Sequence, residues 1–189
     1  MNQTFSDQEI IDKVLQGDSL SYRFLVDKYQ NFVYTLTHKI LVEEDEAEEA
    51  AQDAFIKSYQ ALKSFTGKSK FSTWLYRIAF NTAISYKRKH RIEVSGFDGS
   101  DYKIASGMNA TDELNQEERK RFINHAIDRL SPADAVVITL FYKKELTLEE
   151  ISEVTGMKTS AIKVKLFRAR KRLADELRRQ LATETESLL

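Results

Sequence analysis

The sequence predicts an all-α protein of two small helical domains joined by a flexible linker. Three observations predict it. Apolar residues recur at helical spacing over most of the 189 residues. Ser and Thr capping signals stand ahead of those runs. With one Pro and few Gly, long helices are permitted almost everywhere. No segment shows a convincing strand pattern, since the short Ile138–Tyr142 run sits inside a capped helix. No repeat of fixed period is present.

Ser6-Asp7-Gln8-Glu9 is a capping box, in which a Ser oxygen and a Glu three residues on satisfy exposed N–H groups. Ile10, Ile11, Val14 and Leu15 follow, and Gly17 is a stop. From Ser19 to about Leu41, a broad stripe of Tyr22, Leu25, Val26, Tyr29, Phe32, Val33, Leu36 and Ile40 predicts a second helix. A third runs from about Asp45 to Leu62. Its inward Ala47, Ala50, Ala51, Ala54, Ser58 and Leu62 are mostly small, which implies close packing. A fourth runs from about Phe71 to His90.

The texture then changes. Ser95 to Asn109 holds Gly96, Gly99 and Gly107, half of the six Gly, and its apolar residues have no clear period. The expected division is therefore a first domain at 1–92, a linker at 93–111 and a second domain at 112–189. Helical spacing resumes near Thr111 with Leu114, Phe122, Ile123, Ala126, Ile127 and Leu130. Ser131-Pro132-Ala133-Asp134 starts a helix with a Ser cap, Pro at the first position and an acid at the third. Val136, Val137, Leu140 and Phe141 continue it. Thr147-Leu148-Glu149-Glu150 is another capping box. Thr155-Gly156-Met157 then turns the chain into a basic last helix, the pattern of a helix-turn-helix.

Composition excludes several classes. There is no Cys, so no disulfide framework, thiolate nucleophile or Cys-based zinc site is possible. No apolar run approaches the roughly 20 residues of a membrane span. Met1-Asn2-Gln3-Thr4 lacks the basic start and apolar stretch of a signal peptide. The expectation is a soluble, cytoplasmic protein. No Gly-rich phosphate loop or HExxH occurs, and His38, His90 and His125 make no ligand spacing. No enzyme, metal site or cofactor is expected.

The formal net charge is zero, yet charge is strongly sorted. Glu43-Glu44-Asp45-Glu46 with Glu48-Glu49 is acidic, while Lys87-Arg88-Lys89-His90-Arg91 and Lys163 to Arg172 are basic. One such block is commonly a solvated helix face, but three of sorted sign suggest several charged partners.

At 100° per residue, Ile162, Leu166, Ala169, Leu173 and Leu177 form the buried stripe of the last helix. Ser160, Val164, Phe167, Arg168 and Lys171 lie opposite, with Lys163 at the flank. Val164 and Phe167 are apolar residues on a basic outward face. They either contact thymine methyls in a major groove or pack on another helix. Ser160, Lys163 and Arg168 can reach base edges if the helix enters end-first. Lys165, Arg170, Lys171 and Arg172 are expected on phosphates, with Lys158 and Thr159 at the helix N-terminus.

The fourth helix interleaves rings and bases. Leu75, Ile78, Ala79, Thr82 and Tyr86 share a buried side. Trp74, Arg77, Asn81 and Arg88, with Ile84, share another. Aromatic, basic and amide groups on one face suit unstacked bases, although Trp and Phe in a small domain are usually core. The preceding loop adds Lys63, Lys68 and Lys70 around Gly67, with Ser69, Phe71 and Ser72. The third helix presents Asp45, Glu49, Gln52, Asp53 and Ile56 outward. That face would repel DNA, so it is either solvated or docked on a basic protein surface.

These pieces, in this order, resemble a bacterial sigma factor of the extracytoplasmic-function (ECF) group. Glu48-Glu49-Ala50-Ala51-Gln52-Asp53-Ala54-Phe55 resembles the family's polymerase-docking helix. Phe65 to Asn81 resembles its promoter-melting segment. Leu130-Ser131-Pro132, Leu148-Glu149-Glu150-Ile151, Gly156 and Leu166 to Leu173 resemble its C-terminal helix-turn-helix. The resemblance implies core RNA polymerase, promoter DNA and an anti-sigma factor as partners. It places the polymerase on the third-helix face, the −10 element on the Gly67–Ser72 loop and Trp74, and the −35 element on Lys163, Phe167 and Arg168. Ser160 or Ala161 stands where the family usually has a small Gly, and Phe80 where a basic residue is common, so the promoter sequence stays open. A free-standing helix-turn-helix regulator with an N-terminal dimerisation bundle is the alternative, though it needs neither the acidic third helix nor the aromatic-basic fourth.

Overall fold

The computed structural model describes residues 5–94 and 116–187. Most of the expected linker, with its three Gly, lies outside the described residues, as do Thr111 and Leu114. Eight α-helices are present among the described residues: α1 (Asp7–Leu15), α2 (Tyr22–His38), α3 (Glu44–Gln60), α4 (Phe71–Val94), α5 (Gln116–Asp128), α6 (Pro132–Ile138), α7 (Leu148–Thr155) and α8 (Thr159–Ser187).

The helix starts follow local chemistry. The Ser6 hydroxyl accepts the Glu9 N–H at 3.3 Å, and the Glu9 carboxylate accepts the Ser6 N–H at 2.7 Å. The second helix begins later than its stripe suggests. Asp18 caps a 3-10 turn at Ser19–Ser21, and α2 starts at Tyr22. The small faces of α3 bury Ala47, Ala50, Ala51 and Ala54 between α2 and α4. Small residues bring backbones close enough for polar links between helices. The Thr37 hydroxyl donates to the Ala47 carbonyl at 2.8 Å, and Tyr22 donates to the Phe55 carbonyl at 3.1 Å.

An aromatic layer closes the first half. Tyr76 packs at a tilt of 56° on Phe32 with 4.6 Å between ring centres, and Tyr29 packs on Phe71 at 5.7 Å. Burial pushes both tyrosine hydroxyls well above their usual range, so they stay protonated. Asp7 adds to the effect and accepts the Tyr29 proton at 2.5 Å.

In the second half, Ser131 caps α6, with Pro132 in its first turn. The expected continuation through Phe141 is not α-helical. Residues Thr139–Lys143 widen into a π turn. Glu145 then takes a positive φ of 52°, and the Leu146 N–H reaches the Leu140 carbonyl at 3.2 Å. Ile123, placed on the α5 stripe by sequence, is exposed.

The two halves are separate bundles that nevertheless touch. α7 packs against α4, and buried apolar residues of both halves join in one cluster.

Candidate nucleic-acid interface

The helix-turn-helix is built from two capped helices and one left-handed residue. Thr147 and Glu150 form the capping box of α7, with bonds of 3.1 and 2.9 Å. Gly156 ends α7 at φ +72°, the left-handed region that costs an L side chain about 1–2 kcal/mol. Ser152 donates its hydroxyl to the Met157 carbonyl at 2.7 Å and holds the turn. α8 then leaves with Ile162, Leu166 and Ala169 buried and Leu173 and Leu177 half-buried.

The opposite face of α8 is open. Ser160, Lys163, Val164, Phe167, Arg168 and Lys171 are exposed, with Val164 at 50% and Phe167 at 72%. The alternative in which Val164 and Phe167 pack on a neighbouring helix does not hold. Their ring and methyls face outward because the stripe of Ile162, Leu166 and Ala169 already fixes which side of α8 meets α6 and α7.

The basic residues on the flank differ from the sequence expectation. Lys165 and Arg172, expected on phosphates, both turn to the buried carboxylate of Asp134. Lys165 Nζ lies 3.4 Å from it, and Arg172 bonds its other oxygen. Burial alone would raise the Asp134 carboxyl. Arg172 and the Ser131 hydroxyl outweigh that and hold it below the usual carboxylate range. This pair braces α8 against α6. Arg170 stacks over both Phe141 and Tyr142 at 5.4 Å. The π turn places both rings there.

In the first half, the loop before α4 turns at Gly67, which has φ +70°. Lys63, Gly67, Lys68 and Lys70 are exposed, and Ser69 and Ser72 are half-buried. Arg77, Asn81 and Arg88 are exposed along α4, as read from the wheel. Phe71 departs from its expected place at DNA. It is 3% exposed and meets Tyr29, Phe65 and Trp74. It is part of the aromatic core because the first turn of α4 points inward. Trp74 is half-buried, resting on Phe65 at 5.3 Å and Phe71 at 5.6 Å. Phe71 thus supports a ring that stands at the rim.

The acidic face of α3 is broader than one strip. Asp45 and Gln52 line a groove between α2 and α3 of about 450 Å³, shared with Gln30, Asn31, Tyr34 and Glu48. Asp53 and Glu49 turn the other way. Asp53 accepts the Tyr86 hydroxyl at 3.0 Å and lies 3.6 Å from Lys57. Burial, then the Asp53 bond and charge, with Glu49 behind them, push the Tyr86 hydroxyl up. Ile56 is 55% exposed at the end of this face. Gln30, Asn31 and Tyr34 were missed by sequence, although Gln30 and Tyr34 stand four apart on the outward side of α2.

The regular structure among the described residues is thus all helical, with one helix-turn-helix bearing a basic outward face and a second, aromatic-basic face of different chemistry. Residues 25–92 match the Sigma-70 region 2 family, and residues 123–173 match Sigma-70, region 4. The chain is similar to the ECF RNA polymerase sigma factor SigW of Bacillus subtilis, at 36% identity over 89% of this chain and 95% of that protein. It is also similar to the ECF RNA polymerase sigma-E factor of Haemophilus influenzae, at 30% identity over 94% and 98%. In fold it resembles the sigma factor RpoE solved with the anti-sigma factor NepR from Bartonella quintana. That likeness has a TM-score of 0.69 and 23% identity, over 83% of this chain and 96% of the other. The chain belongs to the ECF sigma factors of RNA polymerase. It is a non-enzymatic initiation factor that gives the polymerase its promoter. No helix among the described residues is long and apolar enough to cross a membrane.

Proposed function

We propose that the chain reads its promoter through two faces of different chemistry, with residues 112–189 on duplex and 1–92 on the melted strand. The carrying observation is the exposure of Phe167 and Val164 within the basic outward face of α8. In water those surfaces gain nothing, whereas in a major groove they meet thymine methyls. Lys163, Arg168 and Ser160 then reach base edges of the −35 element. Lys171, Lys158 and the α8 N-terminus at Thr159 hold phosphates.

The −10 element is taken by the Gly67–Ser72 loop with Lys63, Trp74, Arg77 and Asn81. Rings stack on unpaired bases while cations track the backbone. Binding the flipped non-template bases better than the paired ones shifts the duplex toward the open state. Phe71 acts behind this face as support. The polymerase docks on the α3 face, with Asp45, Gln52 and Ile56 outermost and Glu49 and Asp53 at the α4 side. The protein works in the cytoplasm, beside the polymerase, and is restrained by an anti-sigma factor.

The test is transcription with core polymerase on DNA selected from the genome by the reconstituted holoenzyme. Specific initiation that fails when Lys163 and Arg168 are both changed to Ala supports the reading. Core polymerase that initiates nowhere with the added chain, while the chain alone binds duplex at nanomolar affinity, overturns it.

A further inference from the structure

Three of the six cations between Lys163 and Arg172 are engaged within the second half of the chain itself. Arg170 lies over Phe141 and Tyr142. Lys165 and Arg172 share one carboxylate, Lys165 on Oδ1 of Asp134 and Arg172 on Oδ2. The other three, Lys163, Arg168 and Lys171, are exposed and form no ion pair among the described residues.

The pair on Asp134 stands at the border of the outward face. At 100° per residue, Arg172 lies about 40° round α8 from Arg168, and Lys165 about 60°. The two are about 10 Å apart along the helix axis and still converge on one group of α6. Asp134 is 1% exposed. Its own N–H donates to the Ser131 hydroxyl at 3.4 Å in the first turn of α6, so it cannot follow its cations outward. Removing them would leave a buried charge with neither solvent nor partner, a loss that a phosphate contact at the surface does not offset.

Phosphates are alike in every sequence, so a further phosphate contact raises affinity for any duplex. Base contacts fix α8 in one register on its own site. On other DNA it can settle wherever cations and phosphates match. Extra cations at the flank would therefore help wrong sites more than the right one.

We propose that Asp134 is a specificity-determining residue of −35 recognition: it withholds Lys165 and Arg172 from the DNA backbone and leaves discrimination to the base contacts. The inference rests on the placement of α8 in the −35 duplex.

The test uses holoenzyme reconstituted on core polymerase and two promoter duplexes, one with an intact and one with a scrambled −35 element. Affinity is followed between 0.05 and 0.2 M NaCl, with circular dichroism of each free variant as the check of folding. Asp134→Asn should steepen the slope of log K against log salt on the scrambled duplex by up to about 1.8, or about 0.9 per released cation. That widens the affinity ratio across this salt range by roughly 12-fold. Discrimination between the duplexes should fall about threefold or more at 0.05 M NaCl. Lys165→Gln or Arg172→Gln alone should leave the slope unchanged. Both added to Asp134→Asn should return slope and discrimination to their original values, which a mere loosening of α8 would not do. The proposal is overturned if Arg172→Gln or Lys165→Gln alone lowers the slope by about 0.9, since that cation then already holds a phosphate. It is equally overturned if Asp134→Asn leaves the slope unchanged, or if the triple variant keeps the loss of discrimination. Discrimination that survives Lys163→Ala with Arg168→Ala would instead overturn the placement of α8, and this inference with it.

Discussion

Leu166 and Phe167 are neighbours in sequence and opposites in the fold, so their truncations separate packing from recognition. Leu166 is 4% exposed and lies in the stripe that seats α8. Leu166→Ala removes buried methyls and leaves a void, a change that costs about 2–5 kcal/mol. Phe167 is 72% exposed, so Phe167→Ala should move stability by less than about 0.5 kcal/mol. Its effect belongs to the complex. Full burial of a Phe side chain is worth about 1.5–3 kcal/mol. Groove contact can cover at most the exposed 72%, so the gain at DNA is about 1–2 kcal/mol, or roughly 5- to 30-fold in affinity. Urea unfolding of the free chain gives the first quantity. Competition between −35 variants for holoenzyme gives the second, and the loss should concentrate at one or two positions of the site. If Phe167→Ala unfolds the chain like Leu166→Ala, or leaves every −35 position unchanged, the outward reading of α8 is refuted.

Asp134→Asn should destabilise by about 2 kcal/mol at neutral pH, because it weakens a charge-assisted bond to Arg172 and the link to Lys165. The folded carboxyl of Asp134 sits below its unfolded value. Its stabilising effect is therefore complete above the unfolded pKa, near 4, and is lost as pH falls through the lower folded one. Urea midpoints of the two proteins should converge there; a constant gap down to pH 2 would exclude the ion pair as the cause. Gln52→Lys should weaken core polymerase binding while the thermal midpoint and −35 binding stay unchanged. Loss of both together would mean misfolding rather than a docking contact. Asp53→Lys should also release Tyr86, visible as a tyrosine titrating closer to its ordinary value. Gly156→Ala should cost about 1–2 kcal/mol through backbone strain alone, since a methyl there meets nothing within 4 Å. Gly156→Asn should cost less, because Asn tolerates the left-handed region, and circular-dichroism melts of both will show the order.

Much of this molecule was legible along the chain because helix chemistry is local. The capping boxes at Ser6 and Thr147 lie where three residues of sequence put them. The outward set on α8 follows from a 100° step and an apolar stripe. What the wheel could not tell was how wide each buried side is. Phe71, Tyr76 and Ala83 join Leu75 and Ala79 inside because α4 meets α2, α3 and α7. Nor could it foresee the π turn at Thr139–Lys143, whose widening brings Phe141 and Tyr142 under Arg170.

Sequence by itself determined the helices, their caps and the sorted charge, since each rests on residues within a few positions of one another, and the order of such local motifs along the chain determined the class of protein. Only the tertiary structure decided which opposite charges meet. Lys165 and Arg172 look like phosphate ligands until Asp134, more than 30 positions earlier, is seen between them. Glu150 looks like a simple capping residue until Lys70 arrives from the other half of the chain. Pairing at such separations depends on how whole helices pack, and no spacing rule along the sequence encodes it.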